Sequence, residues 1–259
     1  MTAVTDRLGP PALWRLEWLR IVRTRRWIAV LGVFVLFGFI GPLTARYLDT
    51  IVESFGTDDV QITLPDPTPA DGLGQYVANA AQIGLIVVVV AAAGALAIDQ
   101  RVEMGIFLRT RVARPATLLW PRFVAAAGLA VVGWLLGVAA AWYETVVLLG
   151  APSAPGVLAG AAFGSLYLVF AVAVTALAAS LVRSTVGAAV GALVALLGLG
   201  LLSIAPAVGE WLPGRLLGSL ATLADDGSIV DHLPAAGVTV ILTVVALAVA
   251  ARLLDRREL

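Results

Sequence analysis

The chain has 259 residues, of which 60% are apolar and 13% charged, with a mean hydropathy of +0.98; a water-soluble fold of this length would carry about twice that charge. Cysteine is absent and every one of the 17 basic residues is arginine. That excludes thiolate chemistry, disulfides and Cys-ligated metals, and it removes the lysine that a phosphate-binding ATPase loop requires.

The formal net charge is +0, so the positions of the charges carry more information than their sum. Residues Leu13 to Arg26 set Trp14, Trp18, Ile21 and Val22 at helical spacing, with Arg15, Arg20, Arg23 and Arg26 on the other side and Leu16 and Leu19 blurring the pattern. This suits a helix lying in the membrane interface with its tryptophans at headgroup depth. A plain extension of the first span is the alternative. The first span is expected from Trp27 to Ala45, kinked or ended near Gly41-Pro42. It is longer than the apolar core of a signal peptide and runs into Thr44-Ala45-Arg46, which reads as an uncleaved anchor. A loop carrying Asp49, Glu53, Asp58, Asp59, Asp66 and Asp71 follows.

The second span is expected from Val77 to Ile98. The loop from Asp99 to Pro121 holds Arg101, Arg109, Arg111 and Arg114, together with Val102, Glu103, Met104, Gly105, Ile106, Phe107 and Leu108. It is too long for a tight turn and too apolar for a solvated linker, which points to a docking element; arginines that merely fix topology are the other reading. The third span, Arg122 to Leu149, contains Glu144. An intramembrane carboxylate is a functional candidate, but a rise of about 1.5 Å per residue lifts Glu144 some 33 Å above Arg122, level with the far interface, where Trp142 and Tyr143 would belong to an aromatic belt.

Spans four, five and six are expected from Val157 to Val182, Thr185 to Ala205 and Ala235 to Leu254. Each of the six is close to the roughly 20 residues that cross a bilayer core of about 30 Å. Glycine pairs at Gly133–Gly137, Gly160–Gly164 and Gly187–Gly191 have helix-packing spacing, and packing within the chain is favoured over a dimer contact. Between spans five and six, Pro206 to Pro234 offers Trp211, Leu212, Leu216, Leu217, Leu220 and Leu223 between acidic residues. This stretch is too short to span and too apolar for open water, so a re-entrant or interfacial helix pair broken at Pro213-Gly214 is expected. His232, the sole histidine, lies beside Asp231 and reads as solvated, without the partners a metal site needs.

All arginines except Arg46 and Arg215 fall on one side of this arrangement, and Glu210, Asp225, Asp226 and Asp231 join the acidic loop on the other. The positive-inside rule makes the arginine-rich side cytoplasmic, with both termini there and the chain multi-pass in the inner (plasma) membrane. The fold expected is one all-α membrane domain over residues 1–259, with six spans, an N-terminal interfacial helix and a short re-entrant segment before the last span.

The order of these parts resembles the permease subunits of ATP-binding-cassette exporters of the second superfamily type, over nearly the whole chain. Glu103-Met104-Gly105 followed by Phe107, Leu108 and Arg114 is similar to their Glu-x-Gly motif, with Ile106 where members often have Thr and Val112-Ala113 where they have Pro. The resemblance implies a coupling element comprising Glu103, Gly105, Ile106, Phe107, Leu108, Arg109, Arg111 and Arg114. It also implies two copies of a separate ATPase subunit that carry the ATP and Mg, and a second permease chain, identical or related. The chain itself would then be a transport subunit and not an enzyme, with no cofactor of its own, with membrane lipid as a partner and without nucleic acid. The scattered polar side chains Gln82, Glu144, Ser165, Tyr167 and Thr175 are the candidates for a path. The remaining alternatives are an ion-coupled secondary transporter, which needs titratable groups near the midplane, and an intramembrane enzyme, which needs a nucleophile and base.

Overall fold

The computed structural model describes residues 10–50, 66–97, 115–203 and 205–256. Among them there is no strand, and six helices are long and apolar enough to cross a membrane. The chain is an all-α membrane protein of the expected class.

A short helix α1 (Pro10–Thr24) leads into the first spanning helix α2 (Arg26–Arg46) through Arg25, whose φ of 53° places it in the left-handed region. A side chain with a Cβ adopts that region at a cost of about 1–2 kcal/mol, so contacts elsewhere must hold the joint. Helix α2 continues through Pro42 to Arg46 and does not end at Gly41-Pro42. It presents Val30, Phe34, Gly38, Gly41, Pro42 and Ala45 as a buried stripe. Helix α3 (Pro69–Leu96) begins well before the expected Val77. Its start is fixed by a capping box in which the Thr68 hydroxyl accepts from the Asp71 amide and the Asp71 carboxylate accepts from the Thr68 amide at 2.8 Å. A π-helical turn at Ala80–Gly84 interrupts it.

Helix α4 (Leu119–Leu148) follows a 3-10 turn at Pro115–Leu118, and α5 (Ala154–Leu181) returns. Helix α6 (Thr185–Leu202) is capped by Ser184, whose hydroxyl accepts from the Gly187 amide at 2.9 Å. A single helical turn at Pro206–Gly209 and the helix α7 (Gly214–Ala224) lead to α8 (Leu233–Arg256). The break at Pro213-Gly214 is as expected, although its first arm is one turn and not a full helix.

Helix α5 is the centre of the bundle and touches α3, α4, α6, α7 and α8. Of its most apolar window 61% is buried, against 22% for α6, which lies at the periphery. The face α6 turns outward is Val186, Val190, Val194, Leu197 and Leu201, and the face it buries is Ala188, Ala189, Ala192 and Leu196. A buried face made mostly of alanine is the arrangement that lipid favours, because helices there associate by close backbone approach.

Gly133–Gly137 and Gly160–Gly164 pack spans within the chain, whereas Gly187 meets only the residues of its own helix cap. A Cβ on Gly38 would strike the Gly137 carbonyl, and one on Gly133 would meet Phe34 at 3.0 Å, so α2 and α4 lie against each other almost backbone to backbone. Gly160 receives the backbone of Leu220 in α7, and Gly164 receives the indole of Trp134 in α4. Gly191 faces Ala178 of α5.

Candidate functional site

The arginine-rich end of the bundle holds a side-chain cluster assembled from four helices. The face that α1 turns toward the spans is Glu17, Arg20, Ile21 and Thr24, whereas Trp14, Trp18, Leu19 and Val22 are exposed. The exposed tryptophans fit an interfacial helix, but Ile21 and Arg20 point inward instead of sitting on opposite faces. The reason is electrostatic. Arg122 of α4 is buried, and its Nε donates to Glu17 at 3.0 Å, with Arg20 3.7 Å from the same carboxylate oxygen. Arg20 and Arg122 also donate to the Gly94 and Ala95 carbonyls at 3.3–3.5 Å. These carbonyls belong to the last turn of α3, where the helix has no partner of its own for them and carries partial negative charge.

Arg26, the first residue of α2, completes the cluster, since its guanidinium occupies the space beside Gly94 that a Cβ there would fill. The four charged side chains line a pocket of about 30 Å³ together with Val88, Ala91, Ala126 and Leu129. The arrangement fastens α1 to the ends of α3 and α4, the two helices joined by residues 98–114. Ala116 at the head of α4 donates its amide to Asp255 near the end of α8, which gathers the chain's C-terminal helix at the same face. The coupling residues Glu103, Gly105, Ile106, Phe107, Leu108, Arg109, Arg111 and Arg114 lie outside the described residues.

At the opposite, acidic end α7 packs on α5 and on the first half of α3. Leu216, Leu220 and Leu223 are fully buried and Leu217 nearly so, while Leu212 is half-buried and Trp211 is exposed. The Ser153 amide donates to the Ala224 carbonyl at 3.3 Å, tying the end of α7 to the start of α5. His232 is not solvated as expected. It is buried, with Nδ1 3.2 Å from the Ser228 carbonyl, Nε2 3.4 Å from the Thr222 hydroxyl and its ring stacked on Phe163. It therefore braces the loop after α7.

The candidate path residues lie on α3, α4 and α5. Gln82 is exposed on the π turn of α3, and Glu144 is half-buried near the acidic end of α4. Tyr167 and Thr175 are buried in α5, and the Thr175 and Ser165 hydroxyls each donate to their own helix four residues back, at 2.8 Å. Among the described residues no group of His, Asp and Glu could hold a metal ion.

Glu17 is the lone acid among the arginines of α1, and that contrast is the one sign of its role in the sequence; Arg122 carries no sign beyond the arginine asymmetry. No protein-family model, curated protein or solved structure matches the chain.

Proposed function

We propose that the chain is the membrane-spanning subunit of an ATP-driven exporter in the inner (plasma) membrane, with both termini in the cytoplasm and with a separate ATPase subunit as its energy source. The observation that carries this reading is the fastening of α1 to the ends of α3 and α4 by Glu17, Arg20 and Arg122. Residues 98–114 leave α3 and enter α4 at that face, so a force applied to them reaches two spans and the interfacial helix together. ATP binding by two ATPase subunits would move the loop, and two permease chains would alternate access across the membrane. Helix α7, which packs on α5 at the other face, would act as a gate there.

The orientation rests on the arginine asymmetry. Ser184 in the exposed turn before α6 and Ser228 in the exposed loop after α7 lie at opposite ends of the bundle. The chain has no native cysteine, so Ser228→Cys should react with an impermeant maleimide in whole cells and Ser184→Cys only after lysis. Reaction of Ser184→Cys in intact cells would reverse the orientation.

The cargo we infer is amphipathic or hydrophobic. A charged solute would need compensating groups along the low-dielectric path, and the hydroxyls of Ser165 and Thr175 are already bound to their own helix. The complex purified through a tag on this chain should therefore contain an ATPase whose hydrolysis in liposomes rises with lipids or apolar drugs. Stimulation by small hydrophilic solutes alone would contradict the cargo, and absence of any ATPase would contradict the subunit reading.

A further inference from the structure

We propose that the pocket between α1 and the arginine-rich ends of α2, α3 and α4 binds a phosphate group, that of an anionic lipid in the adjoining leaflet. Arg20 and Arg26 line it beside the Glu17 carboxylate. Glu17 is occupied by Arg122 at 3.0 Å and Arg20 at 3.7 Å, and no hydrogen-bond or ion-pair partner reaches Arg26 among the described residues. Arg26 thus presents donors to this space, beside an Arg20 that the Gly94 and Ala95 carbonyls and Glu17 already hold in place, and planar guanidiniums suit the paired oxygens of a phosphate.

The shape narrows the choice of ligand. About 30 Å³ accommodates roughly two water-sized groups, which matches the two free oxygens of a phosphodiester and not a whole headgroup. Val88, Ala91, Ala126 and Leu129 also line it and lie further along α3 and α4 from the arginine-rich helix ends, so the site combines charged and hydrocarbon lining. The missing side chain at Gly94 gives Arg26 its position. Trp14 and Trp18, exposed on α1, suit a helix at headgroup depth. Basic pockets between spans at this level are where acidic headgroups bind. A soluble phosphate has the same oxygens but no use for the apolar lining.

The test uses the full chain in phosphatidylcholine vesicles and compares retention of spin-labelled phosphatidylglycerol with that of spin-labelled phosphatidylcholine. Wild type should retain the anionic lipid preferentially, and Arg20→Gln and Arg26→Gln should each weaken it about fivefold. Arg26→Lys, which keeps the charge, should lose less than Arg26→Gln, and Arg252→Gln on the exposed surface of α8 should leave it unchanged. Equal retention of the two lipids would overturn the proposal. So would equal losses in Arg252→Gln and Arg26→Gln, a mere surface-charge effect, or equal losses in Arg26→Lys and Arg26→Gln, a purely structural one. Displacement of the label by inorganic phosphate would assign the site to a soluble anion and also contradict it. None of these outcomes depends on an ATPase, so the result stands apart from the transport reading.

Discussion

Trp134→Ala should destabilise the bundle by about 3–5 kcal/mol, the range for removing a fully buried large aromatic side chain. Trp134 is wholly inaccessible, and it joins three helices to its own. Its ring stacks on Tyr76 of α3 with centroids 5.2 Å apart and meets Phe34 of α2 edge-on at 6.2 Å. The indole Nε1 donates to the Ala161 carbonyl of α5 at 3.0 Å, in the notch left by Gly164. The Tyr76 hydroxyl in turn donates to the Trp134 carbonyl at 3.1 Å. In lipid the apolar surfaces gain little from leaving their solvent, so the loss comes from forfeited contacts and an unfilled cavity. Thermal unfolding in detergent checks it, with Trp134→Phe expected to fall less because a ring remains. A wild-type midpoint for Trp134→Ala would show that this cluster does not hold the helices together.

Glu17→Gln should cost about 3 kcal/mol in neutral lipid, because breaking a buried ion pair leaves its partner charged and poorly solvated. The two side chains are 13% and 7% exposed for Glu17 and Arg122, and Arg25 gives the α1–α2 joint a backbone conformation that does not favour the docked helix by itself. Release of α1 is the expected consequence. Hydrogen exchange over residues 10–24 should accelerate in phosphatidylcholine and recover in part when phosphatidylglycerol supplies a substitute anion. Unchanged exchange in both lipids would mean that the Glu17–Arg122 pair does not secure the helix.

What the sequence made legible follows from the range of the interactions. A span is a local property of about 20 consecutive residues, so all six could be placed, and the arginine distribution ordered their ends. The start of α3 was missed because Gly72, Gly74 and Gln75 dilute the hydropathy, although Thr68-Pro69-Ala70-Asp71 carries the capping signature. The face of α1 was misassigned at Arg20 and Ile21 because the partner that rotates it, Arg122, lies far along the chain and no periodicity announces the pair. His232 was read as solvated for the same reason, since Phe163 and Thr222 reach it from other elements.

The claim that this chain transmits the work of a separate ATPase is tested most directly at residues 103–107. A charge-assisted contact is typically worth about 1.5–3 kcal/mol, so its loss is expected to lower coupling by roughly tenfold or more. In the complex purified through this chain, substrate-stimulated ATP hydrolysis should fall by that factor in Glu103→Ala and in Phe107→Ala at unchanged expression and assembly in the membrane. Wild-type stimulation in both variants would contradict the account.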